Sequence, residues 1–411
     1  MKYVAVLTAG QAPPGDLVVS LSEAPGALPF IQGNAEFGAQ TPTPRLACDV
    51  SGKRAWTGAI LVSVRAPVGA LNIAHREMGI GRGICAVSAR YPHSQRFLWW
   101  CLHSLRPEMA AHAVGSTYPA IDRAALGALP VPQRSYEEQK QVADFLDREC
   151  ERIEALSETL TTLESGRYEA MVRILRDEVG LDRWPSVQIR YLARTGTGHT
   201  PSREKPEYWV PEERIVPWFT LADVWQIRDD KREVVTQTAE RISQAGIGNS
   251  SACKHRAGTV LLSRTASVGF SAVMGCDMAV SQDFMTWTCG PRLDPYFLLF
   301  ALRAMRPELL GMMYGSTHQT IYMPALHALR TPLPPLDAQE DAVATIRGAL
   351  RPHWEMRRKT TLLRERLTEY RDALTTEAVT GKLDVTRPSG SQLDESAHAA
   401  MEGERPEVLS A

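Results

Sequence analysis

The chain has 411 residues, with 46 Lys+Arg against 47 Asp+Glu and a formal net charge of −1. Apolar residues at 44% and charged residues at 23% exclude a mainly disordered chain, and the length allows two or three domains. No apolar run approaches the roughly 18 residues of a membrane span, and near-neutrality taken whole argues against a polyanion partner.

The opening MKYVAVLTAGQAPPGD lacks a charged n-region followed by a long apolar stretch, so no signal peptide is expected. Seven cysteines form no CxxC pair and ten histidines form no HExxH. That pattern predicts free thiols in a reducing cytoplasm and no metal site. The basic residues comprise 38 Arg and only 8 Lys. Arg suits bidentate contact with phosphates and guanine edges, although codon bias gives the same excess.

The chain repeats itself at an offset of 200 residues. ILVSVRAPVG at 60–69 faces VLLSRTASVG at 260–269, and RPEM at 106–109 faces RPEL at 306–309. GSTYPAIDRAALGALPVP at 115–132 faces GSTHQTIYMPALHALRTP at 315–332. Three ungapped matches at one offset imply a duplication of about 200 residues.

Taken in order, each half begins with short apolar strands bounded by glycines, such as Ala59–Val64 and Val260–Ser263. A short aromatic helix follows (Phe97–Leu105, Tyr296–Met305), then the GST loop, then an apolar strand ending in proline (Leu129–Pro132, Leu329–Pro335). A long helix closes each half, over 135–179 and 337–380. Ser135 with Glu138, and Asp337 with Glu340, have capping-box spacing. Val142, Leu146, Ile153, Leu156, Leu160 and Leu163 recur at 3 and 4 spacings. So do Val343, Ile346, Leu350, Leu363, Leu367, Tyr370 and Leu374, which predicts a coiled-coil seam.

The expected fold is α/β (α+β): two globular domains related by pseudo-twofold symmetry and separated by an antiparallel coiled coil of two long helices. The expected boundaries are 1–135, a helical spacer 136–184, 185–336, a second helix 337–385, and a disordered tail 386–411. Divided this way, residues 1–135 hold 12 basic and 7 acidic residues, a net of +5. Residues 185–336 hold 16 and 13, a net of +3, while 136–184 hold 7 and 13, a net of −6. The globular modules are basic, which restores a polyanion as a partner.

Two loops stand out as binding candidates. Gly196–Arg203 combines flexible glycines with donors on Thr197, His199, Thr200, Ser202 and Arg203. The GST loops keep a constant frame while their continuations differ, so Ser116, Thr117 and Tyr118 face Thr317, His318 and Gln319. Arg65 and Arg264 follow the repeated strands, and Arg82 projects from Gly79–Gly83. Trp209, Trp218, Trp225 and Trp287 fit a core better than base stacking. No P-loop, no base-flipping NPPY-type motif, no S-adenosylmethionine glycine site and no PD…(D/E)xK array is present, so no catalytic residue is assigned.

These motifs together resemble the specificity subunit of type I restriction–modification systems. The marks are GST…LPVP…EEQKQVADFLD at 115–147, GST…TPLPPLDAQEDAV at 315–343, LTEYRDALTTEAVTGKLDV at 367–385 and RTGTGHTPSREKPEYWV at 194–210. The resemblance implies two target recognition domains, each reading half of a bipartite site in double-stranded DNA, with the helices as a ruler. It also implies two methyltransferase subunits docked on the helices, near Leu156, Leu160, Leu163, Leu363, Leu367 and Tyr370, and restriction subunits beyond them. S-adenosylmethionine, ATP and Mg2+ would be bound by those partners, not by this chain. The first half departs from the pattern in having Leu7–Gln11 where the second has GTGHTPSR. A stand-alone bivalent DNA-binding or architectural protein is the alternative.

Overall fold

A computed structural model of the chain describes residues 1–24, 26–48, 52–115, 119–315 and 319–386. The expected tail beyond 386 lies outside the described residues. Two compact units emerge, residues 1–158 with 363–386 and residues 159–362, so each long helix is divided between them.

The first unit opens with β1 (Ala5–Ala9), β2 (Val19–Ser20), β3 (Pro29–Ile31), β4 (Leu46–Ala47) and β5 (Arg54–Ala55). It continues with β6 (Ile60–Ser63), β7 (Leu71–Ile73), β8 (Met78–Ile80) and β9 (Ile84–Ala89). Helices α1 (Gln95–Ser104), α2 (Arg106–Ala111), α3 (Arg123–Ala128) and the start of α4 (Tyr136–Val179) follow. The strands form one sheet in the order β1-β9-β6-β7 and another in the order β2-β4-β3-β8-β5.

Strand β6 explains why its sequence reads as an unbroken apolar run. Ile60 and Val62 face the cluster formed with α1, α2 and α3, while Leu61 faces the opposite sheet through Met78 and Ile80. Both faces are covered, so period-2 alternation of polar residues is absent.

The second unit repeats this plan with β10 (Ser186–Gln188), β11 (Ala193–Thr197), β12 (Val216–Phe219), β13 (Val234–Val235) and β14 (Glu240–Ile242). After α5 (Gln244–Gly248) come β15 (Lys254–His255), β16 (Val260–Ser263), β17 (Ser271–Met274), β18 (Met278–Val280) and β19 (Phe284–Cys289). Next are α6 (Pro295–Ala304), α7 (Arg306–Gly311), α8 (Met323–Ala328), β20 (Arg330–Pro332) and α9 (Leu336–Thr380). The sheet orders are β11-β19-β16-β17-β13, β14-β12-β18-β15 and β10-β20. Val260 and Leu262 face the helices and Leu261 the second sheet, as in the first half.

In each unit the long helices meet antiparallel. Val142, Leu146, Cys150 and Ile153 of α4 pack with Leu374, Ala378 and Val379 of α9 in the first unit. Met171, Leu175 and Val179 share a core with Val343, Ile346 and Leu350 in the second. The seam is narrower than the heptad reading: Leu156 and Leu163 are each 54% exposed and Leu363 46%, so they stand outside it.

Two local expectations are corrected. Leu129–Pro132 is not a strand, because β10, which pairs with β20 in the second half, has no counterpart beside it among the described residues. Ser135 and Glu138 form the expected capping box, Glu138 accepting from the Ser135 N–H at 2.8 Å. Asp337, by contrast, lies inside the first turn of α9 and accepts only from the Ala338 N–H.

Candidate nucleic-acid interface

In the first unit, backbone hydrogen bonds gather several chain segments at one end of the sheets. After β1, Gly10 and Gln11 donate to the carbonyls of Ile84 and Ile80. A Cβ at Gly10 would collide with the Gly81 carbonyl, so only glycine allows this approach. Gly81 and Gly83 donate to Ile31 and Gln32, and Val64 donates to Gly83. Arg65 is bridged to Ala120, which is bridged to Val114. Gln11, Gln32, Arg65 and Arg82 are all exposed on this surface. It therefore presents two guanidiniums and two carboxamides, donors suited to phosphates and base edges.

The second unit builds the same frame with different side chains. Register places Gly198 opposite Gly10, since β1 pairs with β9 as β11 pairs with β19, and a Cβ at Gly198 would collide with the Val280 carbonyl. Leu7–Gln11 is thus the structural counterpart of Thr195–His199. Ser281 donates to Phe219, and Arg264 and Ile321 continue the ladder through Asp283 and Arg264. Thr265 is bridged to Thr320 as Arg65 is to Ala120. Arg264 is therefore the counterpart of Val64, not of Arg65.

Several candidate residues have work inside the frame. The Arg264 guanidinium donates to the Gln282 and Ile321 carbonyls at 2.9 and 3.0 Å, which pins the turn to the strand end. Thr197 donates to the Phe284 carbonyl at 2.8 Å. Arg203 pairs with Glu240 at 2.7 Å and lies 4.1 Å over the Trp209 ring, and the Ser202 carbonyl accepts from Trp209 Nε1. These contacts shape the Gly198–Lys205 loop, so Arg203 is not presented as a bare cation.

Exposed and available are His199 and Gln319, with Thr200 joined to Gln282 at 2.7 Å. Ser116, Thr117, Tyr118, Thr317 and His318 lie outside the described residues. Gln282 was not among the expected residues, although the 200-residue offset alone sets it opposite Arg82. Trp218 and Trp287 are buried at 2% and 0% exposure, whereas Trp225 is 69% exposed. It sits in a 3-10 helix, Leu221–Ile227, that is longer than its counterpart Asn34–Glu36 in the first unit. The offset between halves is 188 residues at β12, 194 at β14 and 200 from β15 onward, so six residues are inserted before β14 and six after it.

On the helices, Leu160 is buried at 7%, and Leu367 and Tyr370 pack against the first unit's helical cluster. Of the expected docking residues, Leu156, Leu163 and Leu363 are free of the seam.

A family model described as the type I restriction modification DNA specificity domain matches residues 52–165 and 182–347. The chain belongs to this family. The two matched stretches fall one in each half, as the duplication requires. Among curated proteins, a putative type I restriction enzyme MjaX specificity subunit from Methanocaldococcus jannaschii is 30% identical over 179 residues, 43% of this chain and 41% of that protein. The MjaIX specificity subunit of the same organism is 23% identical over 165 residues, 40% of this chain and 37% of that protein. The chain thus matches about two fifths of these relatives' length. A solved chain, from work on complex assembly and conformational transition of the type I R-M system, is 17% identical with a TM-score of 0.66. It covers 92% of this chain and 98% of its own length, so the family fold extends through both halves. No described helix is long and apolar enough to cross a membrane.

Proposed function

We propose that this chain is the DNA-reading subunit of a type I restriction–modification complex, each unit recognising one half of a bipartite asymmetric site. The observation that carries the reading is the repeated loop frame. Three matching backbone bonds, Gly81 to Ile31, Val64 to Gly83 and Ile121 to Val64 in one unit, and Ser281 to Phe219, Arg264 to Asp283 and Ile321 to Arg264 in the other, set Gln32, Arg65 and Arg82 against Gln282 and Gln319, while Gln11 and His199 follow the equivalent strands β1 and β11. A constant frame with different donors and acceptors is what two readers of different sequences need.

The long helices set the distance between half-sites and carry the methyltransferase subunits, with Leu156, Leu163 and Leu363 as exposed apolar contacts. Methyl transfer, ATP hydrolysis and cleavage reside in the partner subunits, which supply S-adenosylmethionine, ATP and Mg2+. The test is reconstitution. Mixed with its methyltransferase partner, the chain directs methylation to one bipartite sequence, read by methylome sequencing. Methyl transfer by the purified chain alone overturns the reading.

A further inference from the structure

A second surface of the second unit adjoins the loop frame through β11. Strand β11 is the edge of one sheet and β15 the edge of the other, and a groove of about 790 Å³ runs between them. Its walls carry Arg190, Arg194, Lys254 and Arg256, all exposed, and no Asp or Glu lines it. Lys254 reaches Asp277 at 3.4 Å outside the groove. Among the described residues, Arg190, Arg194 and Arg256 have no carboxylate partner, and Arg190 lies 5.1 Å over the exposed Tyr191 ring. Gly196 makes the groove possible, since a Cβ there would stand 2.8 Å from His255 Cε1 and 2.7 Å from Thr286 Oγ1.

Three unpaired guanidiniums lining one cleft repel one another until an anion enters. Arg194 stands on β11 and Lys254 on β15, so cations line both walls of the cleft. Strand β11 leads directly into Gly198–Thr200 of the loop frame. The first unit keeps part of the arrangement: Lys2 lies 5.1 Å over Tyr3, which is 81% exposed, and Trp56 stands where the second unit has Arg256. Val6 takes the place of Arg194, so the cationic grip is stronger in the second unit.

We infer that the β11–β15 groove binds the phosphate backbone of double-stranded DNA and anchors the second unit independently of sequence. The inference rests on the DNA-reading function proposed above. It is tested with the full chain in its methyltransferase complex, carrying Arg190→Ala, Arg194→Ala and Arg256→Ala together. Binding is measured against duplexes of about 40 base pairs, with and without the recognition site, across a KCl series. Each lost phosphate contact removes about 0.9 from the slope of log K against log[salt], so the slope becomes shallower by about 2–3. Affinity falls at least about tenfold for both duplexes, and their ratio stays unchanged. The Arg→Lys triple variant retains most of the slope.

An unchanged salt slope overturns the inference. An unchanged slope with loss of the methyltransferase subunit does so as well, and assigns the groove to an acidic protein face. Failure of the DNA-reading function looks different: the unsubstituted complex then binds both duplexes equally.

Discussion

Gln139 and Gln339 stand 200 residues apart and perform the same task in the two units. Each is buried near the start of a long helix, at 2% and 0% exposure. Their carboxamide oxygens accept from the N–H of Ser94 and Asp294 at 2.8 Å, at the N-termini of α1 and α6. Their amides donate at 2.9 Å to the carbonyls of Arg134 and Pro334. One side chain thereby fastens the globular sheet–helix layer to the helical pair.

Replacing either glutamine by leucine keeps the volume and orphans an N–H and a carbonyl that are at least partly buried. Each unsatisfied group costs about 1–3 kcal/mol, so Gln139→Leu and Gln339→Leu are each expected to lose about 2–4 kcal/mol. Urea denaturation followed by circular dichroism measures this. A loss below about 0.5 kcal/mol would mean that the amide is not a structural fastener.

Among the described residues, a buried ion pair occurs in the second unit only. Arg306 donates both terminal nitrogens to Asp230, at 2.6 and 2.5 Å, and Arg303 donates to the Asp230 carbonyl at 2.6 Å. Burial would raise the Asp230 carboxyl, but the Arg306 hydrogen bonds and the charges of Arg306 and Arg303 outweigh it and hold it below its ordinary value of 3.8. Its stabilising contribution is therefore present above that value and is lost as pH falls through the lower folded value. Arg306→Ala strips the buried Asp230 carboxylate of its two hydrogen bonds and leaves it only the 3.7 Å ion pair with Arg303, an expected cost of about 3–5 kcal/mol at neutral pH. The variant's stability at pH 7, compared with the parent's, decides it.

The duplication made most of this architecture legible. Matches at offset 200 locate β6 and β16, both RPE helices and both long helices from letters alone. The inserted segment carrying Asp230 was not legible, because its ion pair joins residues 76 positions apart and has no counterpart in the first half. Nor could the sequence tell Arg82, exposed on a turn, from Arg264, whose guanidinium is consumed by two backbone carbonyls. Which arginines face outward depends on long-range backbone geometry that periodicity does not encode. The leucine seam was over-read for a related reason: apolar spacing continues through Leu156 and Leu163 where packing does not.

His103 occupies in the first unit the position of Arg303 in the second. Burial, with Arg106 and Arg371 nearby, pushes its imidazole down to about 4. The unfolded imidazole takes up a proton below its ordinary 6.5, and the folded one does so only near 4. Stability contributed by the neutral ring is thus complete above that range and falls as pH drops from 6.5 toward 4. At about 1.36 kcal/mol per unit, the loss is at most about 3.4 kcal/mol. His103→Phe is expected to flatten the stability profile across this window in chemical denaturation at stepped pH. An unaltered profile would assign the acid sensitivity to other groups.

Arg82 and Gln282 sit at equivalent turns and are both exposed, which makes them the sharpest test of the two-reader arrangement. Arg82→Ala is expected to cost about 1–3 kcal/mol of binding and to relax one position of one half-site only. Gln282→Ala is expected to relax the other half-site, leaving the first unchanged. Binding selection from a randomised duplex pool, carried out with the methyltransferase complex, reads both halves at once. If Arg82→Ala instead weakens every sequence equally and makes the salt slope shallower by about one, Arg82 is a phosphate anchor and the first unit reads bases through Gln11, Gln32 or its GST loop.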